Sequence, residues 1–411
     1  MTIDLNSKEQ KLQRIIESEK VLNETQDVDV LLERLLTEAR GIVRADAGSI
    51  YVCEDNNLRI KYAQNETQQK QLDPGQKMPF SFFTFPINEK SMSGYSVLKR
   101  EMINIPDAYA IPKDRAYQFN KQPDMLTGYR TKSILTIPLI TASGRPLGVL
   151  QIINAQDEDG NVISFDEDAE LYIKHFASNA TQALERAYLT RAMVMRMIKM
   201  AEFRDPKETG AHVNRVSSYA VEIYDRWAFE HKVPTDELHK FRDALKIAAM
   251  LHDVGKVGIS DLILKKPSRF TPEEYEIIKA HSTIGAVLFS EIESTLDAMA
   301  LDVALRHHER WDGKGYPGKI PIESINGIAT AVKTGEGLKG EEIPLAARIV
   351  ALADVFDALS SRRVYKEAWN DEDVLIEIQA QVGKQFDPEI VSAFFQVLPT
   401  IREIQAAWPD K

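Results

Sequence analysis

His252 and Asp253 stand side by side at the end of the apolar run 247–251. Adjacent side chains on a helix point about 100° apart, so the pair cannot share one face but can converge on two metal ions beside the helix. An imidazole and a carboxylate together suit Fe, Mn, Zn or Co. For the dipeptide alone, a buried histidine followed by an aspartate at a helix end is the better explanation. Other ligands in the chain must decide between these interpretations.

Further candidate ligands lie in the second half of the chain, where seven of the eight histidines follow residue 210. His212 comes four residues after Glu208, so the two share a helical face. Asp354 interrupts the apolar run 349–356, where an acid is costly to bury unless it is paired or bound to metal. Each residue alone also has an ordinary explanation, such as a surface pair, a helix cap or a core histidine. Together, five histidines and three carboxylates exceed the needs of one ion and favour two or three ions, Fe or Mn rather than structural Zn: Glu208, His212, His252, Asp253, His281, His307, His308 and Asp354.

The elements that carry these residues are helical. Thr271-Pro272-Glu273-Glu274 is a strong helix start, with a cap, a proline at the first position and acids in the first turn. Past residue 205, the pattern predicts an all-α domain with helices at 208–231, 235–253, 271–280, 282–292, 295–308, 344–360, 371–382 and 387–396.

The first part of the chain has a different period. Residues 7–40 read as helical with a polar break at 23–29, and prolines exclude long helices from 64–130. Alternating apolar residues predict an antiparallel sheet with helices at both ends, an α+β domain, with strands at 47–53, 58–63, 133–140 and 147–154.

Residues 166–203 form one long helical segment between the two domains. Its apolar residues follow a 4-3-4-3 spacing, which favours a parallel coiled-coil dimer; a helix packed on its own domain is the alternative. The predicted seam contains Ala169, Ile173, Phe176, Ala180, Ala183, Ala187, Val194, Met197 and Ala201. We therefore expect a first domain at 1–165, a linker helix at 166–203 and a second domain at 204–411.

Bulk properties bound the class of protein. The 411 residues carry a net charge of -11, which argues against bulk nucleic-acid binding but allows a local basic pocket. Cys53 is the single cysteine, so an internal disulfide and a cysteine-based zinc site are excluded. No apolar run reaches the length of a membrane span, and the first residues lack a signal pattern. The expected location is cytoplasmic.

The N-terminal domain resembles a GAF domain through segments 45–52, 91–95, 105–109 and 148–154. The resemblance implies a small-molecule sensor or a dimerisation module. Asn154 is followed by Ala155, where cyclic-nucleotide-binding members have lysine, which counts against such a ligand. A sensor fold without any ligand is equally open.

The second domain resembles HD-GYP phosphodiesterases through segments 252–256, 307–317, 338–346 and 353–359. That family hydrolyses cyclic di-GMP to the linear dinucleotide pGpG and in some members to GMP; other members prefer 3'3'-cyclic GMP-AMP. The resemblance implies that Asp253 bridges two ions and that Lys256 contacts the scissile phosphate. It also assigns the remaining metal ligands named above, with a third ion at Glu208 and His212. Arg363 and Lys366 would contact a substrate phosphate. Gly315, Tyr316 and Pro317 would form a lip, a loop at the edge of the pocket that contacts substrate or a partner cyclase.

The resemblance implies metal-dependent hydrolysis of a cyclic dinucleotide under control of the GAF domain. Two ions would activate a water molecule and hold the phosphate oxygens. A phosphodiesterase selective for 3'3'-cyclic GMP-AMP and a non-catalytic adaptor for a cyclic dinucleotide or a diguanylate cyclase (GGDEF) are the alternatives. The lip could equally be a structural loop. Residues 318–337 form an insertion that the family lacks. This insertion could be a lid, a hairpin or a dimer contact, so the resemblance does not define how the substrate enters.

Overall fold

A computed structural model describes residues 8–71, 84–203, 209–266, 268–320, 336–361 and 369–409. The chain divides into two compact units, Met1–Thr190 and Arg191–Lys411. Within the described ranges, no helix is long and apolar enough to cross a membrane.

Unit 1 is built on one antiparallel sheet with the strand order β3-β2-β1-β6-β5-β4, and β7 pairs with β6. The strands are β1 (Ala45–Glu54), β2 (Asn57–Asn65), β3 (Thr84–Pro86), β4 (Ile103–Ile105), β5 (Ile134–Ile140), β6 (Pro146–Gln156) and β7 (Val162–Ile163). The helices are α1 (Lys8–Glu24), α2 (Val28–Ile42), α3 (Glu66–Gln69), α4 (Met92–Lys99), α5 (Gln122–Thr127) and α6 (Glu167–Glu202). The predicted α+β fold is confirmed.

The break between α1 and α2 has a clear local cause. Asp27 caps α2 by accepting hydrogen bonds from the backbone amides of Asp29 and Val30. Leu31 and Leu35 of α2 then pack into the same core as Ile50 of β1 and Leu150 of β6. One apolar face of the sheet is therefore covered by helices.

Helix α6 is continuous as predicted, but its apolar stripe serves a different purpose. Ile173, Phe176 and Ala183 are fully buried in the core of unit 1. Val194 is buried within unit 2. The predicted coiled-coil seam is therefore wrong at these positions, because their own units already cover them. Other α6 side chains are exposed in unit 2, namely Met193, Met197 and Met200.

In the described ranges of unit 2, the regular elements are helices joined by loops. Its helices are α7 (Gly210–Glu230), α8 (Thr235–Met250), α9 (Asp261–Leu264), α10 (Pro272–Val287), α11 (Thr295–Arg306), α12 (Leu345–Ser360), α13 (Asp371–Ala380), α14 (Pro388–Gln396) and α15 (Leu398–Ala407), with 3-10 turns at Val254–Gly258 and Gly340–Glu342. The expected helices at 271–280 and 282–292 are one helix, α10. Helix α8 ends at Met250 rather than at 253, and α15 was not predicted.

The core of unit 2 surrounds α12. Ile349, Val350 and Phe356 are fully buried there, together with Tyr219 of α7. The ring of Tyr219 meets the ring of Phe356 edge-on, with 5.5 Å between centroids. This packing fixes the ends of α7, α8, α11 and α12 relative to one another. Candidate metal ligands of unit 2 lie at or near these helix ends.

Candidate metal centre

Four candidate ligands meet in a first group made of Asp253, His281, His307 and His308, whose ligand atoms all lie within 4.8 Å of one another. Asp253 Oδ1 lies 3.0 Å from His281 Nε2 and 3.6 Å from His307 Nε2. His281 comes from the middle of α10, whereas the two adjacent histidines follow the end of α11. Residues up to 55 positions apart in the chain thus form one cluster around a carboxylate.

A second group consists of His212, His252 and Asp354. Asp354 Oδ1 lies 3.6 Å from His212 Nε2 and 3.8 Å from His252 Nε2. His252 Nε2 also lies 3.4 Å from Asp253 Oδ2, so the two groups are neighbours. Every predicted metal ligand that the structure describes belongs to one of them.

The histidine rings are held by their other nitrogen. His252 Nδ1 lies 2.8 Å from the carbonyl oxygen of Ala249. His281 Nδ1 lies 2.6 Å from that of Ile278, and His307 Nδ1 lies 2.9 Å from that of Val303. A carbonyl oxygen can only accept, so Nδ1 carries the proton and Nε2 presents a lone pair. Ligating histidines in metalloproteins are typically oriented in this way.

The resulting arrangement sets acceptors against acceptors. The lone pair of His281 Nε2 faces Asp253 Oδ1, and neither atom makes a hydrogen bond of normal geometry. Buried acceptors that face each other are costly unless a cation lies between them. The donor set, nitrogen and carboxylate oxygen without sulfur, fits Fe or Mn.

Asp253 is ionised in this setting. Its burial alone would raise the pKa, but nearby positive charge, chiefly the Lys256 ammonium, outweighs burial and holds the pKa of Asp253 well below its usual range. Lys256 Nζ lies 2.6 Å from Asp253 Oδ2 at the end of a partly exposed side chain. A cation that faces both this acid and solvent is placed to meet an anionic substrate.

Burial also keeps two of the histidines neutral. It lowers the pKa of His307, and it lowers the pKa of His308 well below the usual range, with further lowering from neighbouring imidazoles. A metal binds the neutral imidazole. Both rings are therefore ready to ligate at neutral pH.

Gly255 explains how the turn after α8 approaches α10. A Cβ atom at this position would lie 1.9 Å from the carbonyl oxygen of His281 and 2.4 Å from the amide nitrogen of Gly285. Only glycine permits this approach. The close packing brings Asp253 to His281.

The predicted lip lies against the first group. The Tyr316 ring stacks on His308, with centroids 4.8 Å apart, and a cis peptide joins Tyr316 to Pro317. A Cβ at Gly315 would lie 2.4 Å from the Glu309 Cα, so this loop folds back closely on the chain that follows the ligands.

Sequence reasoning gave no role to three buried polar residues around the site: Arg215, Glu309 and Asp357. Glu309 accepts hydrogen bonds from the amide of Gly318, the first residue of the insertion, and from that of Leu338, the residue that follows it. Burial raises the pKa of Glu309. Asp357 lies three residues after Asp354, and Arg215 three after His212, a spacing that could have indicated both.

Some predicted site residues lie outside the described part of the chain. These are Glu208, Arg363 and Lys366, together with residues 321–335 of the insertion.

Comparison with known families identifies both units. Residues 209–359 match the HD domain, and residues 334–390 match a second HD domain model. Residues 27–184 match the GAF domain. The chain therefore carries a GAF domain followed by an HD domain, as the resemblances implied.

Several curated relatives are phosphodiesterases. The 3'3'-cGAMP-specific phosphodiesterase 2 of Vibrio cholerae is 35% identical over 54% of this chain and 37% of the relative. The cyclic di-GMP phosphodiesterase of Thermotoga maritima is 38% identical over 52% of this chain and 50% of the relative. The cyclic di-GMP phosphodiesterase response regulator RpfG of Xanthomonas campestris is 37% identical over the same shares. The chain spans half or less of the length of these relatives.

Proposed function

We propose that this protein hydrolyses a phosphodiester bond of a cyclic dinucleotide, with cyclic di-GMP as its substrate, by means of metal ions held in the two ligand groups. The observation that carries the proposal is the convergence of buried imidazole Nε2 atoms on Asp253 and Asp354, with Lys256 beside them. The names of the relatives support the substrate class.

The side chains divide the work. When bound, divalent ions hold phosphate oxygens and lower the pKa of a water molecule. Asp253 and Asp354 supply the negative charge that holds the ions, and the carbonyl-anchored histidines complete their coordination. Lys256 turns from Asp253 to the scissile phosphate, where its charge stabilises the developing anion or its proton goes to the leaving oxygen.

We propose two ions at the described groups and a third that Glu208 and His212 help to hold. Iron or manganese suits the donors best. Arg363 and Lys366 are proposed to contact the second phosphate, where the planar fork of arginine fits a phosphate group. Gly315, Tyr316 and Pro317 are proposed to line the substrate entrance, because the ring of Tyr316 stacks on a ligand.

The test is reconstitution of the full chain with Fe(II) or Mn(II) without oxygen, followed by metal analysis and product identification. We expect cyclic di-GMP to yield pGpG and then GMP. The absence of turnover for every cyclic dinucleotide at full metal occupancy would refute the proposal in favour of a binding adaptor.

Preference for 3'3'-cyclic GMP-AMP is the second candidate, because a relative at 35% identity is specific for that substrate. The ratio of kcat/KM for the two cyclic dinucleotides decides between them. We expect the ratio to favour cyclic di-GMP, and a reversed ratio would assign the second function.

Regulation through unit 1 is part of the proposal. We propose that the GAF domain responds to a small ligand and that a second copy packs on the exposed methionines of α6, Met193, Met197 and Met200. The oligomeric state of Met193→Glu, measured by light scattering, tests the dimer: a dimeric wild type and a monomeric variant are expected. A diguanylate cyclase partner and a cytoplasmic location stay predictions.

A further inference from the structure

His212 differs from the other anchored histidines of the centre in what holds its ring. His252, His281 and His307 each direct Nδ1 at a backbone carbonyl. His212 Nδ1 instead lies 2.8 Å from the Asp357 carboxylate, Oδ2. A carbonyl is fixed by its helix, whereas a carboxylate can be removed by a single substitution.

Asp357 is itself held as an anion. It is almost completely buried, and Arg215 grips it with a two-pronged fork: Nε donates to Oδ1 at 2.6 Å and Nη2 donates to Oδ2 at 2.8 Å. Arg215 is tied in turn through Nη1 to the carbonyl of Trp408 and through Nη2 to the hydroxyl of Ser361, at 2.8 and 2.9 Å. The fork fixes both the charge and the direction of the carboxylate.

The fork determines the tautomer of His212. An ionised carboxylate can only accept hydrogen bonds, so Nδ1 of His212 must donate and Nε2 must be the lone-pair atom. That atom lies 3.6 Å from Asp354 Oδ1, within the second ligand group. Without the acid, the hydrogen bond that favours the Nδ1 tautomer and fixes this side of the ring is lost.

We infer that Asp357 and Arg215 are positioning residues that hold His212 ready to bind the ion of the second group, so that the affinity of this ion depends on a pair that does not touch it. The inference rests on the proposed metal-dependent function. Loss of such an outer partner typically weakens metal binding by about 10–100-fold.

The same domain offers a matched control. Arg348 and Asp387 form a second largely buried arginine–aspartate pair, which contacts none of the candidate ligands that lie within the described ranges. Asp387→Ala and Asp387→Asn therefore remove a comparable buried acid without touching a histidine. Differences between the two pairs of variants report on the position of His212 rather than on general stability.

The experiment loads the full chain with Mn(II) and titrates the ions against a chelator, with metal per chain read by mass spectrometry. We expect Asp357→Ala to lower the affinity of one ion by about 10–100-fold and to lose about one ion per chain at limiting metal. Asp357→Asn should show a smaller loss, because its amide oxygen can still accept from His212 while its amide nitrogen meets the Nε donor of Arg215. The Asp387 variants should keep the wild-type affinities.

A second readout needs no metal. In ¹⁵N spectra of the metal-free chain, the His212 signals, identified by their loss in His212→Gln, should show a protonated Nδ1 in the wild type and a mixture of tautomers in Asp357→Ala. Unchanged metal affinity together with an unchanged tautomer would overturn the inference and leave the proposed function standing. A wild-type chain that binds no metal would overturn both.

Discussion

Two buried aspartates, one in each unit, show how differently this chain uses the same residue. Asp124 of unit 1 accepts hydrogen bonds from the amide and hydroxyl of Thr131 at 2.8 and 2.7 Å and from the hydroxyl of Tyr109 at 3.1 Å. Asp253 of unit 2 faces the Lys256 ammonium and imidazole nitrogens with lone pairs. Donors surround the first acid, and a cation and acceptors surround the second.

The difference separates stability from function. When a buried carboxylate accepts hydrogen bonds from neutral donors, these bonds offset its desolvation cost and hold a loop in place. A buried carboxylate that faces other acceptors gains little from the protein alone, and such groups cluster where a ligand or metal completes the site. The comparison predicts that loss of Asp124 harms folding, whereas loss of Asp253 harms chemistry.

The largest expected effect is that of Asp253→Ala. Its removal takes the central acid from the first ligand group, so hydrolysis of cyclic di-GMP should fall by a factor on the order of 10³ or more while the fold is retained. His252→Ala should act in the same direction. Activity, metal content and far-UV circular dichroism are the measurements.

Asp261→Ala is the matched control, because this acid lies on the exposed surface of α9 nearby. It should keep both metal and activity. Near-normal turnover in Asp253→Ala would contradict the role assigned to the first ligand group.

The second expected effect is the loss of stability in Asp124→Ala. The variant leaves the buried amide and hydroxyl of Thr131 without their acceptor, at about 1–3 kcal/mol for each unsatisfied group, so the unfolding free energy of unit 1 should fall by about 2–6 kcal/mol. Denaturant unfolding followed by circular dichroism measures the change. The exposed Asp159→Ala should shift it by less than about 0.5 kcal/mol. A stable Asp124→Ala that loses metal would reverse the comparison.

The sequence predicted the members of the two ligand groups better than their supports. Residue type and local context pointed to His212, His281 and Asp354, and the structure places them in the two neighbouring ligand groups. The contact between His212 and Asp357 joins residues 145 positions apart, and no local pattern encodes such a pairing. Likewise, the apolar stripe of α6 indicates a buried face but not whether its own unit or a second copy buries it.

A smaller effect is expected from Gly255→Ala, which tests how closely the loop that bears Asp253 must approach α10. The new methyl group would lie 1.9 Å from the carbonyl of His281, so the turn must move away. Overpacking of this kind costs about 1–3 kcal/mol and should reduce metal affinity as Asp253 leaves His281. Gly210→Ala, where the sole contact of a Cβ with the described residues is the end of Met195 at 3.7 Å, should leave both unchanged. Full metal affinity in Gly255→Ala would show that the approach is not needed.

The smallest predicted effect is a pH dependence of unit 2 in the metal-free chain. Burial lowers the pKa of His307 and His308 in the folded state below the ordinary value of 6.5. As the pH falls below about 6.5, the unfolded chain takes up protons that the folded chain refuses, so the unfolding free energy falls. Asp253 does not contribute to the pH dependence in this range, because its carboxylate is ionised in both the folded and the unfolded chain at pH values well above 3.8.

Tryptophan fluorescence isolates this effect, since all four tryptophans lie in unit 2. Between pH 6.5 and 5.5, each of these two histidines should remove at most about 1 kcal/mol of unfolding free energy in the presence of a chelator. His308→Gln removes one of the two groups and should flatten the slope by about half. An identical slope in wild type and variant would show that His308 takes up its proton in the folded chain, and the acceptor-rich character of the first group would then have to be withdrawn.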